Sequence, residues 1–475
     1  MPVIPCRTNL LHNDRELYQF LLDCHEQSLR QGRSFVVSVS QQIESIDPLS
    51  ALQNISSLSS SGLHFYWENR KKKEAVVAIG STKHLIVKRG NRFTKSQNFI
   101  QNCLDKTIAV GDLNLPWSGP HFFSGFTFFP TAQKNESPFP PATIFLPRFQ
   151  IARSPEGCVL VVNITIDDRA NVEKILETLK KQIETIDWSS KKGIDLELTP
   201  SSPGIQPIPI RKTSEFTTAV TSVLKSIQTQ RLSKIVLAHS LDVISPVPFQ
   251  WVNSLARLRQ IHPDCYIFSL SNGKGTSFIG ASPERLISIK NRYLLTDALA
   301  GSSPRGKTEF EDDFFANQLL NSEKERREHQ AVSDFICQRL RALGLQPTRS
   351  PLQLLQLSNI QHLWTPICAE LPANVRPLDI VAKLHPTPAV AGVPTQIACE
   401  KIRHYETFDR SLYAAPLGWV DARGNGEFIV GIRSALIKGD RARLYAGAGI
   451  VEGSNPDKEL AEVQLKLQTM LKALI

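Results

Sequence analysis

The sequence predicts an α+β fold made mostly of antiparallel sheet. Short runs of β-branched and aromatic residues recur along the chain, such as "SFVVSVS" (34–40) and "CVLVVNITI" (158–166). Some are joined by hairpin turns: "NGKG" separates "CYIFSLS" from "TSFIG", and Gly-Asn-Gly stands at 424–426. Segments of helical period are interleaved with these hairpins, which argues for antiparallel sheets with helices packed on them.

In the N-terminal half, "SFVVSVS", "AVVAIG" (75–80), "FSGFTFF" (123–129) and "CVLVVNITI" read as strands. "RKKK" (70–73) lies between "LHFYW" and "AVVAIG" and reads as a solvated hairpin tip. A helix is predicted over 170–186. The Pro- and Ser-rich "LTPSSPGIQPIPI" (198–210) reads as a connection and places a boundary near 205. The C-terminal half opens with a helix over 213–229, where Phe216, Val220, Val223, Leu224 and Ile227 share one face. A strand "KIVLAHSLDVI", a helix over 250–260 and the "NGKG" hairpin follow. One long helix is predicted from 307 to 342. "PLGWVDARGNGEFIVGIRSALI" reads as two strands about its glycine turn, and a helix over 456–473 closes the chain.

The 475 residues are 41% hydrophobic, enough for a large core. No run of about 18 apolar residues occurs, and the N-terminus lacks a signal-like apolar region, so membrane and secretory classes are disfavoured. Eight scattered cysteines without C-x-x-C spacing suggest a reducing compartment. The net charge of +10 suits either nucleic acid or a small anionic substrate. Basic runs are short and lack stacking aromatics, which disfavours nucleic acid.

Two acidic pairs stand out. Glu325 and Glu328 are three apart in "NSEKERREHQAV", and Glu459 and Glu462 repeat that spacing in "SNPDKELAEVQLK". On helices, each pair shares a face. Four carboxylates could converge on a hard cation such as Mg²⁺. The competing reading is solvated surface, with Ser322/Glu325 and Ser454/Asp457 as capping boxes. Arg433, in the strand "EFIVGIRSALI", alternates onto a face with Ile429, Gly431, Ala435 and Ile437. A guanidinium there needs an anion, either a structural carboxylate or a substrate carboxylate. Gly447 and Gly449 in "YAGAGIVEGS" would let backbone approach an anion, although such a run is usually only a turn. Lys234 begins a strand, and Glu284 follows Pro283 in "ASPERL". A desolvated lysine near cations can act as a base, and a buried glutamic acid can act as an acid. Nothing in the spacing brings these two together.

The ordered motifs "KIVLA", "ASPERL", "TDALAGS", "SEKERREH", "QHL", "HPTPAVAG", "ETFDRSLYAAPLGW", "FIVGIRS", "YAGAGIVEGS" and "ELAE" resemble the chorismate-utilising enzymes, among them the isochorismate synthases. The resemblance is dense over 230–466 and weaker upstream. It implies two large, mostly antiparallel sheets packed face to face with helices outside. Residues 1–205 would add strands to a core shared with the catalytic half 206–475, in one continuous domain. It implies Mg²⁺ held by Glu328 and Glu462, with Glu325 and Glu459 holding the metal's waters. Lys234 matches the general base and Glu284 the general acid. Arg433, Tyr413, Lys466, Gly301, Gly447 and Gly449 match positions that contact the two carboxylates of chorismate. His362 and His385 match pocket-lining histidines.

Lys234 and Ala389 stand where ammonia-using relatives generally have Gln and Thr, so the resemblance implies water as nucleophile. Isochorismate would be the product, feeding menaquinone or phylloquinone synthesis, with salicylate synthase as the alternative and a basic nucleic-acid-binding protein as a remote one. A cytoplasmic monomer is implied (stromal in a photosynthetic eukaryote), without an amidotransferase subunit, nucleic acid or membrane as partner. Asp297, Ser302 and Ala415 depart from the Glu, Thr and Gly usual in these motifs, and Asp297 is left without a role.

Overall fold

A computed structural model describes residues 10–53, 62–131, 137–186, 206–208, 213–229, 232–357 and 360–474. Two sheets dominate it. In the larger, of 13 strands, the path runs through Gln206–Ile208, Lys234–Ile244, Arg441–Val451, Ser434–Lys438, Thr276–Ser282 and Tyr266–Ser271. It continues through His64–Asn69, Glu74–Ile79, Phe149–Ser154, Gly157–Ile166, Phe35–Ile43 and Thr107–Gly111. Only the last pairing is parallel. Phe35–Ile43 lies between two strands, and its first seven residues are buried.

The smaller sheet, of 10 strands, runs from Thr348–Arg349 through Ile360–Glu370, Tyr293–Pro304, Arg285–Lys290, Gly426–Val430 and Pro416–Asp421. It ends at His121–Phe126, Ala142–Leu146 and Lys83–Val87. Ile360–Glu370 keeps strict alternation, burying Gln361, Leu363, Thr365, Ile367 and Ala369. The sheets meet through aromatic side chains: the rings of Phe65 and Phe123, one from each sheet, are 5.0 Å apart. Strands from before and after residue 205 lie side by side in both sheets, as in His64–Asn69 with Tyr266–Ser271 and His121–Phe126 with Pro416–Asp421.

The predicted hairpins form, with "RKKK" at the turn between His64–Asn69 and Glu74–Ile79. Residues 206–208 of the expected connection are a strand; the rest of 198–210 lies outside the described residues. Three expectations need correction. The long helix is two, Glu309–Asn321 and Glu323–Arg341. Ser322 turns extended between them, closes the first helix through its N–H and caps the second by accepting the Glu325 N–H at 3.3 Å. The strand through Arg433 is also two. Gly426–Val430 belongs to the smaller sheet and Ser434–Lys438 to the larger, so Arg433 sits on the crossover with φ +48° rather than on a strand face. Gly431 permits this, because a Cβ there would stand 2.7 Å from the Leu412 carbonyl oxygen. Finally, the last helix, Pro456–Leu474, is capped by Asn455 rather than Ser454, with the Asp457 and Lys458 N–H groups on its Oδ1.

Ser322→Ala removes the cap of the helix that carries both Glu325 and Glu328. We expect a loss of about 0.5–2 kcal/mol and only a few tenths for Ser322→Gly. Thermal melts of the two variants showing equal losses would mean that the N-cap of the second helix is not what the substitutions disturb.

Candidate active site

Strand alternation sends Lys234 and Val236 into one cleft of about 170 Å³. Lys234 is 6% exposed. Its stem lies over Gly449, where a Cβ would come within 3.3 Å of Cε. Its Nζ donates to Glu328 Oε1 at 2.6 Å, so the neighbour of this lysine is a carboxylate and not the cations anticipated for a base. Burial works to raise the Glu328 carboxyl, but the Lys234 charge and hydrogen bond outweigh it and hold Glu328 below the usual range.

Glu284 lines the same cleft. Its main chain is fixed on both sides: Ser282 Oγ accepts its N–H, and its carbonyl accepts the Val430 N–H. Burial pushes its carboxyl up to about 7, against the nearby Lys234 charge and with help from Asp297. Asp297 now has a place. It takes Arg285 in a two-toothed ion pair (2.9 and 3.0 Å) and accepts the Trp364 indole N–H at 2.8 Å. The shorter side chain therefore anchors the residue next to Glu284 and adds negative charge near it.

Across the cleft stand Arg433, Tyr413, Lys466 and His362. Among the described residues Arg433 has no carboxylate partner; its nearest polar contact is Cys265 Sγ at 3.8 Å. That favours the substrate half of the choice left by the sequence. The Tyr413 hydroxyl reaches over Gly447, where a Cβ would stand 2.9 Å away, and its ring stacks on Tyr445. Burial drives the Tyr413 hydroxyl well up, so it stays a donor. Lys466 Nζ bridges Glu462 Oε1 (2.7 Å) and the Gly447 carbonyl (3.0 Å). His362, bonded to Ser302 Oγ at 2.9 Å, is lowered to about 3 by burial and by Arg433 and Lys466, and is neutral.

The four glutamates divide into two roles. Glu328 and Glu462 line the cleft. Glu325 and Glu459 do not. Glu325 packs on Gly301, whose φ of +80° and close approach exclude a side chain. Its carboxylate accepts from the Ser302 backbone instead of closing a capping box on Ser322. Burial and the neighbouring carboxylate raise Glu325; burial raises Glu459 too, opposed by Ser454 and reinforced by Glu462. Among the described residues no three such donors are gathered tightly enough to hold an ion alone. The donor chemistry nevertheless fits a hard cation that keeps waters and takes further oxygens from a substrate: two carboxylates face one cleft and two half-buried ones stand three residues before them on the same helices.

Ala389 is part of the lining, with Val390. His385 is not; its Nε2 bonds the Phe128 carbonyl oxygen and its ring meets Phe128 edge-on. Sequence reasoning missed Val236, Leu299, Ile432 and Tyr445 as lining residues. Val236 was within reach, two places from Lys234 on one strand. Among the described residues, no helix is long and apolar enough to cross a membrane.

A family model described as chorismate binding enzyme matches residues 19–475. The isochorismate synthase MenF of Bacillus subtilis is 32% identical over 452 residues, covering 93% of this chain and 94% of that one. The salicylate biosynthesis isochorismate synthase of Pseudomonas aeruginosa is 41% identical over 265 residues, 54% of this chain and 53% of its own. Among solved structures, MenF of Escherichia coli, a menaquinone-specific isochorismate synthase, superposes with a TM-score of 0.74 at 26% identity, over 96% of this chain and 100% of that one. Anthranilate synthase component I of Streptococcus pneumoniae, at 20% identity and a TM-score of 0.67 over 84% of this chain and 92% of its own, shares the fold.

Glu284 gives a pH test. Its carboxyl lies above its ordinary value of 4.5, so the stability it contributes is full below that pH and is lost as pH rises through about 7. Glu284→Gln cannot ionise. It should flatten the dependence of melting temperature on pH across that window and melt above the parent at pH 8. Parallel curves for the two proteins would show that Glu284 is not held neutral.

Proposed function

The chain belongs to the chorismate-binding enzymes, and from that membership we propose that it is an isochorismate synthase, an isomerase that converts chorismate to isochorismate. The observation that carries the reading is one cleft holding a lysine, a neutral glutamic acid and an arginine without a carboxylate partner among the described residues. These supply a base, an acid and an anion clamp. The net charge of +10 suits attraction of a dianion.

Arg433 and Tyr413 hold the enolpyruvyl carboxylate, with Lys466 and the backbone at Gly447 and Gly301 nearby. Lys234, in its unprotonated form, takes a proton from a water that attacks ring carbon C2. The ring double bonds shift, the C4–oxygen bond breaks, and Glu284 gives its proton to the departing hydroxyl. One water enters and one leaves. Mg²⁺, held by Glu328 and Glu462, would supply positive charge for the ring carboxylate and compete for the carboxylate oxygens that now accept from Lys234 and Lys466. Lys234 and Ala389 support water rather than ammonia as nucleophile, without an amidotransferase subunit. The near full-length similarity to MenF supports a place in quinone synthesis.

Incubation with chorismate and Mg²⁺ should give isochorismate by chromatography. EDTA should abolish turnover, and Glu328→Gln should raise the Mg²⁺ requirement. Full activity after dialysis against EDTA would remove the metal from the reading, and salicylate as main product would move the enzyme to that class. Lys234→Ala should lose at least about 10²–10⁴-fold in turnover. Arg433→Ala should weaken chorismate binding by roughly 2–5 kcal/mol; a Michaelis constant near that of the parent would make Arg433 structural.

A further inference from the structure

Glu406 and Arg410 take no part in the chemistry above, yet they are among the most buried charged residues described, 4% and 1% exposed. Their side chains form a two-toothed ion pair at 2.6 and 2.8 Å. The remaining capacity of both goes to main chain. Arg410 donates to the carbonyl oxygens of Val236 (2.8 Å) and Val390 (2.9 Å). Glu406 Oε1 accepts the Ala238 N–H at 2.8 Å.

Those partners occupy a gap in the sheet. One edge of the strand Lys234–Ile244 pairs with Gly392–Val393 only at Lys234 and Ile235, with one further bond from the Val236 N–H to the Ala391 carbonyl. On the other side of the gap, pairing with Gln206–Ile208 begins at Asp242. The Val236 carbonyl and Ala238 N–H fall between, and among the described residues no strand pairs them. Left unpaired, each of these buried groups would be destabilising. The ion pair stands in for the missing strand. The Arg410 carbonyl also accepts the Tyr413 N–H at 2.7 Å.

We propose that Glu406 and Arg410 are positioning residues that fix the strand bearing Lys234 against the Ala389–Val390 wall of the cleft. Neither touches the substrate. One planar guanidinium sets the distance between base and wall, because its fork serves two carbonyl groups and a carboxylate at once. This rests on reading Lys234 as the base.

The test uses Glu406→Gln/Arg410→Met together and Arg410→Lys alone. Removing both charges together leaves no lone buried ion, so the double variant should fold, with a lowered melting temperature because the Val236 and Val390 carbonyls lose their donor. The lysine variant keeps the charge but cannot reach all three acceptors. For both, turnover should fall roughly tenfold to a hundredfold, as small misplacements of reacting groups do, while the Michaelis constant for chorismate stays within about threefold. Circular dichroism and thermal melts report folding in the same samples. A folded double variant with parental turnover overturns the proposal. Failure of both variants to fold also overturns it, because the pair then holds the fold and not the wall. Lys234→Ala in the same assay separates the two readings: if that enzyme turns over, the base assignment falls on its own evidence, whatever the pair variants do.

Discussion

A 2.6 Å contact between Lys234 Nζ and Glu328 Oε1 ties the site together. It joins the start of a strand in the larger sheet to a helix packed on Tyr293–Pro304 of the smaller one. Both side chains are largely buried, and an ammonium or a carboxylate left alone there would be destabilising by several kcal/mol. Lys466 and Glu462 form a second ion pair at the cleft, more exposed and within one turn of the last helix. Two lysines therefore neutralise two carboxylates inside the cleft, Glu284 is neutral below about pH 7, and Arg433 is the cation left over. A substrate with two carboxylates and a divalent cation can enter such a site with no net change of charge.

The geometry that permits this comes from two interruptions of regular structure. Ser322 ends one helix and starts the next, which places Glu325 in the first turn, where the unpaired N–H groups favour negative charge, and Glu328 one turn on along the same face. The crossover at 431–433 carries the chain from one sheet to the other and turns the Arg433 side chain out of either strand's alternation. Regular elements at both places would have sent these side chains elsewhere.

Much of the fold was legible because strands and hairpins announce themselves locally, by period and turn residues. Both interruptions were missed. The helical pattern of 307–342 continues across Ser322, although the serine's capping signal was there to be read as a helix start, and the apolar pattern of 428–437 continues across Arg433 with no local signal of the break. The site was legible in a different way. The paired glutamates could be seen from their spacing, but Lys234 and Glu328 are 94 residues apart and only ordered motifs suggested that they meet. Asp297 and the Glu406–Arg410 pair show the limit. Each looks like an ordinary charged residue until burial and partners are known.

The chemistry turns on whether water, activated beside Lys234, becomes the new hydroxyl. Turnover in ¹⁸O-labelled water, with mass spectrometry of the product, decides it. Attack by solvent water predicts one labelled oxygen at C2 of isochorismate in every molecule formed in a single forward passage. An unlabelled C2 hydroxyl would mean that the substrate's own oxygen migrates from C4, and Lys234 would not be the base that this cleft is built around.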